Sequence, residues 1–402
     1  MTGTKRTRVR ATLRVPALGA IAALALTLLG CGGSPTPLGT PPAAARLTPA
    51  ERVADYADDR LATMTLDQKV ASLLMLHHPG IDAGKLRAFA GDNGLGGLIL
   101  MGDNVPGTLP ELTALTKGVS TDPGLPLLLA IDQEGGVVSR LPSDVDLGAD
   151  RLKSLPASAT TDSFTGRSTL LANAGINVNF GIVADVTSDP HSFIYDRVLG
   201  TDPSSSGERV AAAVTGERGR VLSTLKHFPG HGAAEGDSHR GIPSTDLSYD
   251  GWLEQVAPPF RSGIRAGAEM VMFGHLAYSA VDPRPASLSP AWHSILRQEL
   301  GFDGVIITDD MIMLQHSGRA EYADPVENGI DALAAGNTML LYVLPERPSA
   351  VGVDLTRLIT GISAAVDAGR IPLAVIDDDA RRLLILRRTL AAKSETNTGT
   401  PE

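Results

Sequence analysis

The sequence predicts an α/β fold, a single (β/α)₈ (TIM) barrel, on three observations. Eight short apolar, β-rich runs follow one another along the chain. Stretches with helical spacing separate most of them. Ionisable or amide side chains follow seven of the eight runs within a few residues. Near-continuous apolar strands alternating with helices indicate a parallel sheet covered on both faces. Eight such units in roughly 300 residues fit a closed barrel.

The runs lie at 72–76 (Ser-Leu-Leu-Met-Leu), 97–101, 126–131, 176–180, 221–225, 270–274, 304–308 (Gly-Val-Ile-Ile-Thr) and 338–343. Helical spacing is clearest at 109–119, 163–174, 206–219, 252–266, 291–300 and 326–335. The stretch 349–391 reads as two closing helices, with Arg381, Arg382, Arg387 and Arg388 on a solvated face. An open doubly wound sheet is the rival. It usually carries a Gly-rich phosphate turn after its first strand, and here His77-His78-Pro79-Gly80 stands there instead.

Outside the barrel the composition changes. Residues 1–14 hold Lys5, Arg6, Arg8, Arg10 and Arg14, and Val15 to Leu29 is an apolar run. It is short for a membrane span, which needs about 20 residues. It ends Leu28-Leu29-Gly30-Cys31, which resembles the lipobox of bacterial lipoprotein signal peptides. A plain secretory signal with an incidental cysteine is the alternative. Residues 32–46 are rich in Gly, Ser, Pro, Thr and Ala and read as a flexible tether. The expected organisation is a signal peptide at 1–30, a tether at 31–47 with lipid on Cys31, a barrel at 48–392 and a disordered tail at 393–402. The mature protein is then exported, with a lipid anchor holding it to the outer face of the cytoplasmic membrane.

Composition excludes several classes. With 43% apolar and 20% charged residues the 402-residue chain is neither disordered nor fibrous. The net charge is −10, although the first 30 residues are purely basic, so nucleic acid is not an expected partner. Cys31 is the only cysteine, which excludes a disulfide framework and a Cys-based zinc site.

The groups after the runs are His77, Asp103-Asn104, Asp132-Gln133-Glu134, Asp185, Lys226-His227, His275 and Asp309-Asp310. Singly, an Asp there is often a helix N-cap, and a His is often a bonded core residue. Together, at the strand ends where barrels place their chemistry, they predict one polar pocket. There is no phosphate loop, nucleophile elbow or nucleotide fingerprint. Carboxylates with Lys, Arg and His suit a polyhydroxylated ligand, and paired carboxyls point to glycosyl transfer.

Lys226-His227-Phe228-Pro229-Gly230-His231-Gly232, followed by Asp237-Ser238-His239, resembles glycoside hydrolase family 3 in its bacterial exo-β-N-acetylglucosaminidase branch. Ala130-Ile131-Asp132-Gln133-Glu134-Gly135-Gly136, Asn177-Val178-Asn179-Phe180 to Ala184-Asp185-Val186, and Ile306-Ile307-Thr308-Asp309-Asp310-Met311 resemble its third-, fourth- and seventh-strand motifs, over about residues 50–390 in the family's order. The resemblance implies a barrel acting alone as a retaining glycosidase, with Asp309 as nucleophile, Asp310 as the alternative, and His239 oriented by Asp237 as acid/base. It implies sugar binding by Asp132, Arg197, Lys226 and His227, and Arg140 and His275 complete the expected binding set. Two departures stand out: Val137 replaces the family's frequent Arg, and Asp196-Arg197-Val198-Leu199-Gly200 departs from its usual Arg-Ser-Phe-Gly.

The expected substrate carries a terminal β-linked N-acetylglucosamine, and an exported enzyme meets it in peptidoglycan fragments (muropeptides). A β-glucosidase, a glycoside phosphorylase and a non-catalytic sugar-binding lipoprotein are the alternatives. No cofactor and no metal are expected, since the irregular loop bearing His227, His231 and His239 offers no helical ligand pair. The protein is expected to be a monomer.

Overall fold

The computed structural model describes residues 47–120 and 122–398. The signal segment, Cys31 and nearly all of the tether lie outside the described residues. Eight parallel strands form a closed barrel: β1 (Leu74–Leu76), β2 (Gly97–Leu100), β3 (Leu128–Ile131), β4 (Val178–Val183), β5 (Leu222–Phe228), β6 (Met270–Phe273), β7 (Val305–Asp310) and β8 (Met339–Tyr342). Each pairs with its neighbours in chain order, and β8 closes on β1 through Leu74↔Leu340 to Leu76↔Tyr342. Every residue of β1 to β6 and β8 is buried, as a sheet covered on both faces requires. In β7 only the last two residues, Asp309 and Asp310, reach partial exposure.

The helices start where the chain supplies caps. Thr108 and Glu111 form a capping box on Leu109–Val119. Asp202, Asp324 and Asp354 cap Pro203–Glu217, Pro325–Ala335 and Leu355–Asp367. These acids lie in the loops, well past the strand ends. Asp132, Glu134, Asp185 and Asp309 cap none of the helices, so their presence at the rim has another cause.

Three helices carry too weak an apolar stripe to read from sequence. Pro49–Thr63 buries only Ala57, Leu66–Ser72 takes up the start of the first apolar run, and Ala83–Asp92 contains two glycines. The 252–266 stretch breaks at Val256, because Pro258 and Pro259 have no N–H to continue the preceding turn. The final helix, Leu373–Thr398, continues past residue 392, where the sequence led us to expect a disordered tail. Ala392 and Lys393 are good helix formers, which favours that continuation.

An aromatic cluster supports the half of the barrel that carries the specific motif. Phe228, at the end of β5, meets Trp252, Phe260, Phe273 and Trp292 at ring-centroid distances of 4.8–5.9 Å, mostly edge to face. All five rings are fully buried. Such pairs add to the stabilisation from area burial alone. Phe260 lies on Ala257–Ala266, away from the pocket. Phe260→Ala is expected to cost about 3–5 kcal/mol of stability, read as a lowered urea midpoint, while the folded fraction keeps its active-site chemistry.

Candidate active site

The rim at the C-terminal ends of the strands gathers its polar groups by backbone placement first. Asp132 and Glu134 follow β3, on either side of Gln133, which is completely buried. The Gln133 carboxamide accepts the N–H groups of Arg140 and Leu141 and donates to Ser139 and Asp144, so it fixes the loop that returns Arg140 to the rim. Gly135 and Gly136, at φ +80° and +63°, make the turn. A Cβ on Gly135 would lie 2.1 Å from Arg167, so the close approach as well as the backbone requires glycine.

Asp185, after β4, is fully buried and binds the next loop. Its Oδ2 accepts from His227 Nδ1 at 2.8 Å and from the His227 N–H at 3.2 Å, while Oδ1 accepts the His231 N–H. Burial pushes this carboxyl up, but His227 and His231 outweigh burial and hold it below the ordinary range. The Lys226–His227 and Phe228–Pro229 peptide bonds are cis. Gly232 passes so close to β4's loop that a Cβ there would lie 2.1 Å from the Val186 carbonyl oxygen.

Lys226 and Glu134 form the electrostatic centre. Lys226 Nζ lies 2.9 Å from Asp132 Oδ1 and 2.7 Å from Glu134 Oε1. Arg197 grips Glu134 with two hydrogen bonds, Nε to Oε2 at 2.9 Å and Nη2 to Oε1 at 2.7 Å. Burial alone raises the Glu134 pKa, but Lys226 and Arg197 bring it down to about 2. Burial lowers the Lys226 pKa, and Asp132 and Glu134 raise it above its ordinary value. Glu134 and Lys226 are therefore both charged at neutral pH. Arg197 Nη2 also approaches His227 Nε2 at 3.4 Å, and Arg140 lies 3.8 Å from Asp132.

At the end of β7 two adjacent carboxyls have different surroundings. Asp309 Oδ1 accepts the Asp310 N–H at 2.8 Å, and Oδ2 has no partner among the described residues. Burial pushes Asp309 up, but His227, His275, the Asp310 N–H and Lys226 together hold it below the ordinary range. Asp310 Oδ1 accepts the N–H groups of Ile312 and Val343 at 3.1 and 2.9 Å, which ties β7 to the β8 loop. Burial, with Asp309 alongside, nevertheless raises Asp310 to about 7. The sequence pointed to Asp309 as nucleophile, with Asp310 as the alternative. Of the two, Asp309 stays ionised and keeps one oxygen outside the hydrogen-bond network.

The long loop after β5 carries the Asp237–His239 pair. Asp237 Oδ1 accepts from both the backbone N–H and Nδ1 of His239, at 3.0 and 2.8 Å. His239 Nε2 remains available, and the imidazole is 65% exposed. Asp185 anchors one end of the loop through the His231 N–H, and pairing of Ser244–Thr245 with Ala277–Tyr278 anchors the other.

Asp132, Arg140, Arg197, Lys226, His227, His239 and Asp309 all line one pocket of about 250 Å³. Ile99, Met101, Met272, Leu341 and Val343 add apolar surface to its lining. Asp237 stands behind His239. His275, expected from sequence as a sugar ligand, does not line this pocket. It is buried, it takes a hydrogen bond from the Ser287 hydroxyl on Nδ1, and Nε2 donates to the Asp310 carbonyl at 3.0 Å. Its role is to position the end of β7. Glu134, expected in the polar pocket but given no role, lines it too, as does Phe193, which the sequence did not single out. The family motif contained Glu134, and its pairing with Arg197 across 63 residues is the part a sequence hides. Phe193 sits in an irregular loop with no distinguishing pattern. A larger cavity of about 370 Å³ at the other end of the barrel holds one carboxylate, Asp122, and no histidine.

The sequence matches the model of the glycosyl hydrolase family 3 N-terminal domain over residues 65–386. It is 32% identical over 392 residues to the β-hexosaminidase LpqI of Mycobacterium tuberculosis, covering 92% of this chain and 96% of that protein. A β-hexosaminidase of Nitrosomonas eutropha is 33% identical over 290 residues, 69% of this chain and 81% of that one. Among solved structures, a family 3 β-N-acetylglucosaminidase from a Paenibacillus species superposes with a TM-score of 0.74 at 29% identity. The match covers 85% of this chain and 64% of that longer one. A β-N-acetylhexosaminidase from Beutenbergia cavernae gives 0.70 at 29% identity, over 81% of this chain and 99% of that one.

The charge cluster generates a pH prediction. Glu134 has its folded pKa depressed from 4.5 to about 2. Its contribution is therefore fully present above about pH 4.5 and is lost as the pH falls toward 2. Glu134→Gln is expected to destabilise the protein at pH 7 by about 3–5 kcal/mol, because it leaves buried cations short of a partner. Urea midpoints from pH 6 to 3 should fall less steeply in the variant than in the wild type.

Proposed function

The chain belongs to glycoside hydrolase family 3, and on that premise we propose that it is an exo-glycosidase removing terminal β-linked N-acetylglucosamine with retention of configuration. The observation that carries this reading is the pairing, in one pocket, of an ionised Asp309 with the His239–Asp237 dyad. Retention needs a nucleophilic carboxylate under the anomeric carbon and an acid/base beside the leaving oxygen.

Asp309 Oδ2 attacks the anomeric carbon as the glycosidic bond breaks, and His239 Nε2 passes its proton to the departing oxygen. Water then enters and gives a proton to His239 Nε2 as its oxygen bonds the anomeric carbon, which breaks the ester to Asp309 and releases the sugar. Asp237 orients the ring and offsets the imidazolium charge, as carboxylates do in other Asp–His pairs. Burial raises the Asp237 pKa, but the bonds from His239 outweigh it and keep the carboxyl below its ordinary value. An imidazole suits this double task because its ordinary pKa lies near working pH. Asp132, Arg140, Arg197, Lys226 and His227 supply donors and acceptors for sugar hydroxyls. The names of the relatives support the N-acetylhexosamine specificity. A basic n-region and Leu28-Leu29-Gly30-Cys31 support export with a lipid on Cys31, where peptidoglycan fragments are the polymer at hand.

The test is a panel of aryl β-glycosides, with N-acetylglucosaminide, glucoside and xyloside compared, and the product assayed as free sugar or sugar phosphate with and without phosphate. Selective release of free N-acetylglucosamine is expected. His239→Ala should lose roughly 10²–10⁴-fold on a sugar–sugar bond and far less in glycosylation by a low-pKa phenol, with azide restoring part of the rate. Equal losses on every leaving group, with no azide effect, would remove His239 from the mechanism.

A further inference from the structure

His77 and Asp103 stand at strand ends like the groups of the active site, yet neither lines its pocket. They wall a second cavity, of about 450 Å³. The two cavities share Met101, His239, Asp310, Met313 and Val343. Asp309 lines only the first. In a retaining glycosidase the nucleophile lies under the sugar being transferred, and the acid/base stands between that sugar and the leaving group. A cavity reached by the acid/base and not by the nucleophile is therefore on the leaving-group side.

We propose that this cavity is the leaving-group subsite and that Asp103 binds the hydroxyls of a second sugar ring in it. The inference rests on the glycosidase reading with His239 as acid/base. Asp103 sits in the short turn Gly102–Asn104 just after β2. One carboxylate oxygen, Oδ1, lies 3.0 Å from His77 Nε2. The other, Oδ2, has no partner among the described residues, and the side chain is 47% exposed. His77 cannot turn away, because it is buried and Nδ1 donates to the Leu344 carbonyl at 2.6 Å.

Asn104 fixes the turn from its other side. It accepts the Met101 N–H and donates to the carbonyls of His78 and Gly80, which joins the loops after β1 and β2. Asp103 is thus held before any ligand arrives, with one oxygen left to accept hydrogen bonds. Met101, Met313, Leu344 and Pro345 give the cavity an apolar wall that suits the C–H face of a pyranose. A carboxylate beside an apolar wall is the arrangement that recognises a sugar through both its hydroxyls and its ring face.

The experiment compares wild type and Asp103→Ala on 4-nitrophenyl N-acetyl-β-glucosaminide and on N,N′-diacetylchitobiose. The nitrophenyl group has no hydroxyl for Asp103 to accept from, and the disaccharide has several. A hydrogen bond to a charged group corresponds to roughly a ten- to hundredfold effect. The expected result is a loss in kcat/KM on the disaccharide at least about tenfold larger than on the aryl glycoside. Asp103→Asn, which keeps an acceptor oxygen, should recover part of it. Equal losses on the two substrates, or no loss on the disaccharide, would overturn the assignment. Wild-type turnover of the aryl glycoside without any of the disaccharide would count against this subsite alone. No turnover of any aryl glycoside would count against the glycosidase reading itself.

Discussion

Lys226 brings an ammonium into the mouth of the barrel with 3% of its side chain exposed, and the rest of the site is arranged around that charge. A buried charge is tolerated only with partners, because the cost of removing it from water is several kcal/mol. Asp132 and Glu134 from the end of β3 supply them, and Arg197 from the loop after β4 balances the second carboxylate. The cluster ties three consecutive strand ends together through side chains alone. It also holds every member in place before a sugar arrives. Such preorganisation is how a site spends little reorganisation at the moment of reaction.

The two carboxyls at the end of β7 show how one strand end separates two roles. Asp310 gives one oxygen to the backbone of the next loop, and burial raises it to about 7. Asp309 gives one oxygen to a single backbone N–H and keeps the other open to the pocket. His275 supports the pair from behind, bonded to the Asp310 carbonyl and to Ser287. Adjacent like charges raise one member of a pair at the expense of the other. The neighbourhood of cationic and hydrogen-bonding groups decides that Asp309 is the ionised one.

Much of this was legible from the chain. The period of apolar runs indicates eight strands, and seven of the nine expected catalytic and binding residues line the pocket. What was hidden has physical causes. The helices Pro49–Thr63 and Ala83–Asp92 are stabilised by caps and packing at a few points, with no continuous apolar stripe to reveal them. His275 follows its strand as a ligand would, and only the direction of its ring distinguishes a support from a contact. Glu134 stood in a motif whose first acid drew attention. Its importance comes from Arg197 and Lys226, which are distant in sequence and meet it only after the barrel closes. Asp103 and His77 belong to the same class, since their pairing depends on β1 and β2 lying side by side.

The central claim is that Asp309 forms a covalent bond with the sugar. It is tested most directly by treating the enzyme with a fluorinated N-acetylglucosaminyl donor whose second step is slow, followed by proteolysis and mass spectrometry. One sugar attached per chain is expected, on the peptide containing Asp309 and at that residue, with Asp309→Ala unlabelled. A label on Asp310, or steady turnover with no labelled residue at all, would contradict it.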